Sequence, residues 1–174
     1  QVTSDRAGNF VAGWHSVDQD GSMAGVYAQR FGGLLPETLA VDATATATSD
    51  GNRVLEACEE VVVAPGWRNV NGAAQTLSGG MAEFQGPPPV AHTITRATAL
   101  YGGVPDGGVS VCGSECYRVT VASANPRPVV HWDATVWESL LPDAQGQVKQ
   151  WRLHVGESFE DVARGSLYYR FVET

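Results

Sequence analysis

The chain has 174 residues, which is long enough for one domain with a substantial core, with or without appendages. Its formal net charge at pH 7 is −8, so nucleic acid and anionic membrane surfaces are disfavoured as partners. No segment is long and apolar enough to predict a membrane span. Because Gln1 stands where Met would be expected, we expect a processed or excised piece of a longer precursor.

The amino-acid composition and the spacing of glycine and proline predict the fold class. Val, Ala, Thr and Gly are abundant, Gly and Pro recur at short intervals, and helical periodicity is nearly absent. We therefore predict an all-β chain built around an immunoglobulin-like antiparallel β-sandwich at residues 36–155. An N-terminal β-hairpin extension at residues 1–35 precedes the sandwich, and a short C-terminal tail at residues 156–174 follows it.

The N-terminal extension contains two predicted strands around the polar turn at residues 18–22. Apolar side chains alternate in the first strand, and the second carries apolar residues on both faces. A two-stranded hairpin is marginal in water, so this unit must join the sheet of the following domain or pair with another molecule. The residues expected to make that contact are Phe10, Val11, Trp14, Val26, Tyr27 and Phe31, together with Tyr168, Tyr169 and Phe171 of the tail.

A specific pattern runs through this hairpin. Gly8–Trp14, Gln19–Ser22 and Gly25–Phe31 follow the pattern Asp-Gly-Asn-Phe-Val-x-x-Trp, Gln-Asp-Gly-Ser and Gly-Val-Tyr-Ala-Gln-Arg-Phe, with Ala7 where Asp is usual. The unit thereby resembles a repeat of large bacterial secreted and surface proteins, where it recurs in tandem as part of a propeller blade. Closing a propeller takes about four or more blades, so a single copy cannot form one by itself.

The next segment is predicted to be a connector followed by a strand. Residues 32–36, Gly-Gly-Leu-Leu-Pro, have the composition of a connector. Residues 39–47 are predicted to be a half-buried strand, because small apolar residues from Val41 onward alternate with Asp42 and threonines.

Residues 49–69 carry a second pattern. Asp50-Gly51, Leu55-Glu56, Glu59 and Asn69 fall on Gly-Asp-Gly-x-Leu-Glu-Pro-Gly-Glu followed by a hydrophobic strand that ends in Asn. The stretch resembles the opening of an immunoglobulin-like module found beside peptidases and in bacterial surface proteins, with Ala57-Cys58 replacing Pro-Gly. Downstream, Tyr-Gly at 101–102 and Gly-Gly at 107–108 continue the resemblance, which extends to about residue 139.

The loop at the start of this module offers four oxygen-bearing side chains within ten residues: Asp50, Asn52, Glu56 and Glu59. A calcium ion takes about six to eight oxygen ligands, partly from backbone carbonyls. Two interpretations stay open, a calcium site and a polar loop whose Asp-Gly forms a turn. Asp18 and Asp20 are candidates for a second site.

Further strands are predicted where turn signals bound β-rich runs: Glu60–Arg68, Ala73–Leu77, Met81–Phe84, His92–Ala99, Gly108–Val111, Tyr117–Ser123, Val129–Leu141 and Val148–Val155. Gly79-Gly80 is one of those turn signals. The strand Val129–Leu141 places Trp132 on one face and Trp137 on the other, so we expect it to be covered on both sides. The tryptophans of the last two strands, Trp132, Trp137 and Trp151, are predicted to be core residues. The alternative is a sugar-stacking platform formed by members of the set Trp14, Trp67, Trp132, Trp137 and Trp151.

The three cysteines indicate an oxidising compartment. Cys112 and Cys116 are predicted to form a local disulfide that closes a small loop, as fits an extracellular protein. A metal site is the alternative, but no second Cys or His pair stands at zinc-finger spacing. Cys58 is then left as a buried free thiol, a crosslink to another chain, or a thiol that competes for the pair.

The tail carries a third pattern. Phe159, Asp161, Val162 and the following aromatic run resemble the start of an S-layer homology domain, in which Phe-x-Asp-Val-Pro precedes a helix with aromatic residues. Ala163 replaces the proline, and the remainder of that domain is missing from the chain.

No motif of catalysis occurs in the sequence. There is no nucleophile elbow, phosphate loop, dinucleotide fingerprint or His-Glu-x-x-His motif, and His131 with Asp133 is the best candidate for acid–base work. We therefore expect a non-catalytic extracellular subunit, a surface-layer or filament protomer, that polymerises with copies of itself or joins neighbouring domains through terminal strand exchange. The alternative is an accessory carbohydrate- or protein-binding module of a larger secreted protein. Calcium is the one candidate cofactor.

Overall fold

The computed structural model describes residues 1–4, 10–18, 21, 23–123, 132–141, 147–156, 159–164 and 167–172. In chain order the strands are β1 (Val2–Ser4), β2 (Phe10–Val17), β3 (Ala24–Phe31), β4 (Leu34–Val41), β5 (Leu55–Glu56), β6 (Glu60–Asn69), β7 (Gln75–Gln85), β8 (His92–Arg96), β9 (Thr98–Val104), β10 (Val109–Val111), β11 (Tyr117–Val121), β12 (Trp132–Leu141), β13 (Val148–Gly156), β14 (Phe159–Arg164) and β15 (Leu167–Val172). Within these ranges there is no helix, and so none that is long and apolar enough to cross a membrane.

Two five-stranded sheets form the sandwich. In the first sheet the order is β10-β6-β11-β8, and β4 also pairs with β6. The second sheet has the order β5-β13-β12-β7-β9. All strand pairs are antiparallel except the short contact of β5 with β13. The predicted all-β class and the antiparallel sandwich are confirmed.

Period-two alternation places the core between the sheets. β12 is buried at every second residue, so Trp132, Val136 and Glu138 face inward while Trp137 is 38% exposed. The expectation that β12 is covered on both faces is therefore wrong. The large, fully buried apolar side chains of the two sheets are Leu55, Val61, Val63, Trp67, Val104, Tyr117, Val119, Val121, Val136, Leu153 and Val155.

The connector and the strand predicted after the hairpin are both shifted. β4 already begins at Leu34, whose side chain is 3% exposed in the core, and it ends at Val41. At Asp42 the backbone takes φ = +43°, and the Asp42 carboxylate accepts the Gly51 N–H at 2.9 Å. The chain thus leaves the sheet at Asp42, so the predicted continuation of the strand to residue 47 is wrong.

Two internal boundaries also differ from the prediction. Gly79 and Gly80 do not form a turn but lie in the middle of β7, which is one continuous strand. The segment predicted as a single strand, residues 92–99, is instead divided between the two sheets, because β8 pairs with β11 and β9 pairs with β7. The polypeptide crosses from one sheet to the other at Ala97, whose carbonyl accepts the Met81 N–H at 2.8 Å.

The two ends of the chain form small sheets of their own. β1, β2 and β3 make a three-stranded antiparallel sheet, here called the N-terminal sheet, which hydrogen-bonds to no strand of the sandwich among the described residues. The predicted hairpin is confirmed, and Val2–Ser4 adds a third strand that the sequence did not indicate. In the tail, β14 pairs with β15, so Leu167–Val172 is a strand where the S-layer resemblance implies a helix.

Candidate functional site

The acidic loop between β4 and β6 spans residues 42–59. Its two ends are held together because β4 pairs with β6, and the Asp42 N–H donates to the Val62 carbonyl at 2.9 Å. Inside the loop, β5 is anchored by its parallel pairing with β13 and by the fully buried side chain of Leu55. The Cys58 N–H donates to the Val121 carbonyl at 2.7 Å. The loop is therefore fixed to both sheets.

This arrangement brings three carboxylates together. Oxygen atoms of Asp42, Asp50 and Glu59 all lie within 4.8 Å of one another. Asp42 is fully buried, Asp50 is exposed, and Glu59 lies between these extremes. The cluster consequently has a buried base and a side that is open to solvent.

Two oxygens of the cluster have no hydrogen-bond donor. Oδ2 of Asp42 accepts the Gly51 N–H, but Oδ1 of Asp42 is buried and unpartnered. Oε2 of Glu59 is likewise buried and unpartnered. A buried polar atom without a partner carries its full desolvation cost, and an anionic one carries more. These two atoms therefore need either a proton or a cation.

The pKa of Glu59 is raised, as expected for a partly buried carboxyl beside other carboxylates. Burial, followed by the neighbouring carboxylates of Glu56, Asp50 and Asp42, raises the pKa of Glu59 from 4.5 to about 7, and only the backbone N–H of Asp50 opposes the shift. Without a cation, the side chain therefore carries a proton for a substantial fraction of the time near neutral pH.

The predicted calcium ligands divide into two pairs. Asp50 and Glu59 belong to the cluster, whereas Asn52 and Glu56 lie beside it. The Asn52 amide donates to Oδ2 of Asp50 at 3.0 Å and to Oε2 of Glu56 at 3.2 Å, and its carbonyl oxygen accepts the Val54 N–H at 2.8 Å. Asn52 thus positions the carboxylate of Asp50 rather than facing the cluster with its oxygen.

Asp42 is the member that sequence reasoning missed. Its one signal was that it is the only carboxylate in a run of alanines and threonines, where a period-two interpretation made it an outward residue of a strand. Of the proposed second site, Asp18 lies exposed at the hairpin turn with φ = +59°, and Asp20 lies outside the described residues.

A second carboxylate, Glu138, lies fully buried in the core. Its Oε2 accepts the indole N–H groups of Trp67 at 3.0 Å and Trp151 at 2.7 Å, and its Oε1 accepts the hydroxyls of Tyr117 at 2.7 Å and Tyr101. Burial and the neighbouring carboxylate raise the pKa of both tyrosines, so both remain protonated donors. With four donors already satisfied, Glu138 stabilises the core and offers no free ligand atom.

The tryptophans are mostly unavailable as a sugar-stacking platform. Trp132 and Trp151 are buried in the core, as predicted, and Trp67 is buried there too, whereas the predicted burial of Trp137 is wrong. Trp14 and Trp137 are 39% and 38% exposed, and they lie on different sheets. Trp14 stacks against Tyr27, with ring centroids 6.1 Å apart.

The N-terminal sheet presents apolar side chains on both faces. Phe10 and Trp14 lie on one face and Val11, Val17 and Val26 on the other, because successive residues of a strand alternate between faces. Val26 is 85% exposed, and no described residue of this sheet is buried. Of the other residues predicted for assembly, Phe31 lies on β3 and Tyr168, Tyr169 and Phe171 lie on β15, and only their backbones are described.

The remaining candidates are the predicted pair of His131 and Asp133 and the three cysteines. His131 lies outside the described residues, and Asp133 is an exposed partner of Arg152 and His154, each at 3.4 Å. Cys112 and Cys116 lie at disulfide distance, with their Cα atoms 5.2 Å apart. Cys58 is free and exposed, so its expected burial is wrong.

Comparison with known proteins adds no assignment: no family model matches the chain, and no curated protein matches it significantly.

Proposed function

We propose that the chain is a non-catalytic, extracellular structural subunit that assembles with copies of itself through its N-terminal sheet. The observation that carries this proposal is the exposure of that sheet: none of its strands pairs with a described strand of the sandwich, and it has exposed apolar side chains on both faces. The pair of cysteines at disulfide distance supports the extracellular location.

The stability of a small sheet depends on burial of its apolar side chains. Three strands become independently stable when one face is buried against something else. Phe10, Val11, Trp14, Val17 and Val26 are all between 36% and 85% exposed, so the sheet gains little from burial in one isolated chain. Several exposed apolar side chains on one small sheet are typical of an interaction site. A partner that covers one face would supply the missing burial.

The backbone offers a second means of association, through the edge of the sheet rather than its faces. β3 pairs with β2 along one edge and has no strand on its other edge within the described residues. An unpaired edge of eight residues presents a row of N–H and C=O groups that a second strand can satisfy. The same strand from another copy is a suitable partner, because antiparallel pairing of two identical edges is symmetric and joins the two N-terminal sheets into one. The tail hairpin of β14 and β15 offers a second pairing edge, which growth beyond a dimer requires.

The test is the molar mass of the purified chain by light scattering over a range of concentrations. We expect a concentration-dependent mass above that of the 18.4 kDa monomer. Val26→Lys places a charge at an 85% exposed position of the N-terminal sheet and should shift the equilibrium to monomer. Leu100→Lys makes the same change at a 56% exposed position on an outer strand of the sandwich, and it should behave as the wild type.

Two outcomes would overturn the proposal. One is a wild-type chain that stays monomeric at every concentration. The other is an oligomer whose mass is unchanged by Val26→Lys, because assembly would then use a different surface.

The alternative, an accessory carbohydrate- or protein-binding module, is supported by one feature, the exposed stacked pair of Trp14 and Tyr27. A sugar that stacks on this pair would change the tryptophan fluorescence of the wild type and not that of Trp14→Ala, with Trp137→Ala as the matched control. A monomeric wild type that shows this response would favour the binding module over the assembly subunit.

A further inference from the structure

We infer that Asp42, Asp50 and Glu59 form a calcium site that fastens the loop of residues 42–59 to the sandwich. The inference does not depend on the proposed assembly function. Ligand oxygens on one calcium ion lie about 2.3–2.6 Å from the metal, so two of them are at most about 5 Å apart. The three carboxylates meet this condition, since their oxygens lie within 4.8 Å of one another.

The burial of Asp42 is an independent observation that points to a ligand. The side chain is 0% exposed, and its Oδ1 has no hydrogen-bond partner although it belongs to a carboxylate that faces two others. Oε2 of Glu59 is in the same condition. None of the ion pairs formed by the described residues involves Asp42, Asp50 or Glu59, so no described arginine, lysine or histidine pairs with these carboxylates.

The donor chemistry selects the kind of cation. All three groups are carboxylates, and neither a thiolate nor an imidazole belongs to the cluster, which favours a hard cation over zinc or copper. Asp50 is exposed, so an ion can enter from solvent and keep water in its remaining coordination positions. Calcium accepts irregular oxygen sets of this kind more readily than magnesium, which demands near-ideal octahedral geometry.

Binding at this position connects three parts of the fold. Asp42 follows β4 directly, Glu59 precedes β6 directly, and Asp50 lies in the intervening loop. An ion shared by these three residues binds the folded chain and not the unfolded one, because the unfolded chain does not hold the carboxylates together. It therefore stabilises the native state by mass action.

The experiment measures calcium binding and thermal unfolding on the full chain after treatment with EDTA. Calcium chloride titrated by calorimetry should give a saturable heat. With a dissociation constant of about 0.1–1 mM, typical of extracellular modules, 10 mM calcium should raise Tm by about 3–10 °C. Magnesium at the same concentration and ionic strength should give a smaller shift.

Asp42→Asn is the decisive variant. It has the same shape, retains an oxygen to accept the Gly51 N–H, and tolerates the positive φ at this position. It should lose both the calorimetric heat and the Tm shift, while its Tm in EDTA is at least that of the wild type because a like charge has been removed. Asp133→Asn, an equal charge change at an exposed carboxylate, should keep the full calcium response.

Three results would overturn the inference: a wild type with neither heat nor Tm shift, an Asp42→Asn variant that responds as the wild type does, or a magnesium response equal to that of calcium. If Asp42→Asn does not fold, Glu59→Gln answers the same question, with Glu83→Gln at an exposed position of β7 as its control.

Discussion

The hydroxyl of Tyr117 occupies the space in which a side chain at Gly79 would begin. A Cβ added at position 79 would lie 2.0 Å from that oxygen and 3.0 Å from Oε1 of Glu138. Gly79 lies in the middle of β7, where glycine is otherwise unfavourable, and its lack of a side chain lets the tyrosine hydroxyl reach the carboxylate. A glycine on one strand thereby makes room for a hydrogen bond between two others.

We expect Gly79→Ala to lower the free energy of unfolding by about 3 kcal/mol, because overpacking is added to a disturbed hydrogen bond between Tyr117 and Glu138. The matched control is Gly80→Ala, since a Cβ at Gly80 meets nothing within 4 Å. The control should be neutral or up to about 1 kcal/mol more stable. Urea unfolding of both variants tests this relationship, and equal midpoints for the two would contradict it.

Substitutions of Glu138 should separate hydrogen bonding from packing. Glu138→Leu leaves the indole N–H groups of Trp67 and Trp151 without an acceptor and the two tyrosine hydroxyls with only each other, and should cost more than about 4 kcal/mol. Glu138→Gln keeps one acceptor oxygen for the indoles and turns its amide toward hydroxyls that can accept, so its cost should be about 1–3 kcal/mol. Urea unfolding ranks the wild type, Glu138→Gln and Glu138→Leu by free energy of unfolding, and near-ultraviolet circular dichroism reports whether the aromatic core stays packed. A leucine variant as stable as the glutamine variant would show that the four donors do not need the carboxylate.

The pair Cys112 and Cys116 should contribute modestly to stability, because it closes a loop with a sequence separation of only 4. Loop-closure entropy gives about 2 kcal/mol for so short a loop. The double variant Cys112→Ala/Cys116→Ala should lose about that amount, while Cys58→Ser, at an exposed free cysteine, should change stability by less than about 0.5 kcal/mol.

Thiol alkylation of the chain unfolded without reductant, followed by mass spectrometry, provides a separate check on the cysteines, because unfolding exposes the buried Cys112 and Cys116. One label is expected before reduction and three after it. Three labels on the unfolded, unreduced protein would mean that the pair is not bonded.

Glu59 should make the stability of the cation-free chain fall as pH rises. Its pKa is about 7 in the folded state, above the ordinary value of 4.5, so the unfolded chain releases this proton first. The contribution is complete below about pH 4.5, declines between pH 4.5 and 7, and is constant above that range. Two other carboxyls have the opposite effect on stability at lower pH. A hydrogen bond from Arg68 lowers the pKa of Glu37, and hydrogen bonds from Thr95 and Arg118 lower the pKa of Glu60, so their contribution to stability is lost as pH falls.

The difference between wild type and Glu59→Gln isolates this effect. In EDTA, the difference in Tm should change in favour of the glutamine variant as pH rises from 5 to 7.5, and saturating calcium should reverse its sign at neutral pH. Glu83→Gln, at an exposed position of β7, is the matched control for the loss of one charge. A difference that stays constant over this pH range would mean that Glu59 titrates as an ordinary exposed carboxyl.

Much of the strand layout was predictable because it depends on local pattern. The two strands of the hairpin, the strand from Glu60 onward and the tryptophan-bearing strands all show period-two alternation bounded by turn residues. This alternation indicates a strand with one buried face, and the pattern is the same whichever sheet the strand joins. They failed where the same composition allows two outcomes, as at Gly79-Gly80, where a turn and a close approach between strands look alike in sequence.

The sequence by itself determined the all-β class, the main strands, the disulfide spacing, and the presence of Asp50 and Glu59 in one acidic loop. Only the tertiary structure decided that Asp42 joins those two carboxylates, because the pairing of β4 with β6 brings the two ends of the loop together. In the same way, Glu138 meets Trp67 across 71 residues of sequence. Buried polar clusters depend on the register of strands that are distant in sequence, and no periodicity within one segment records that register.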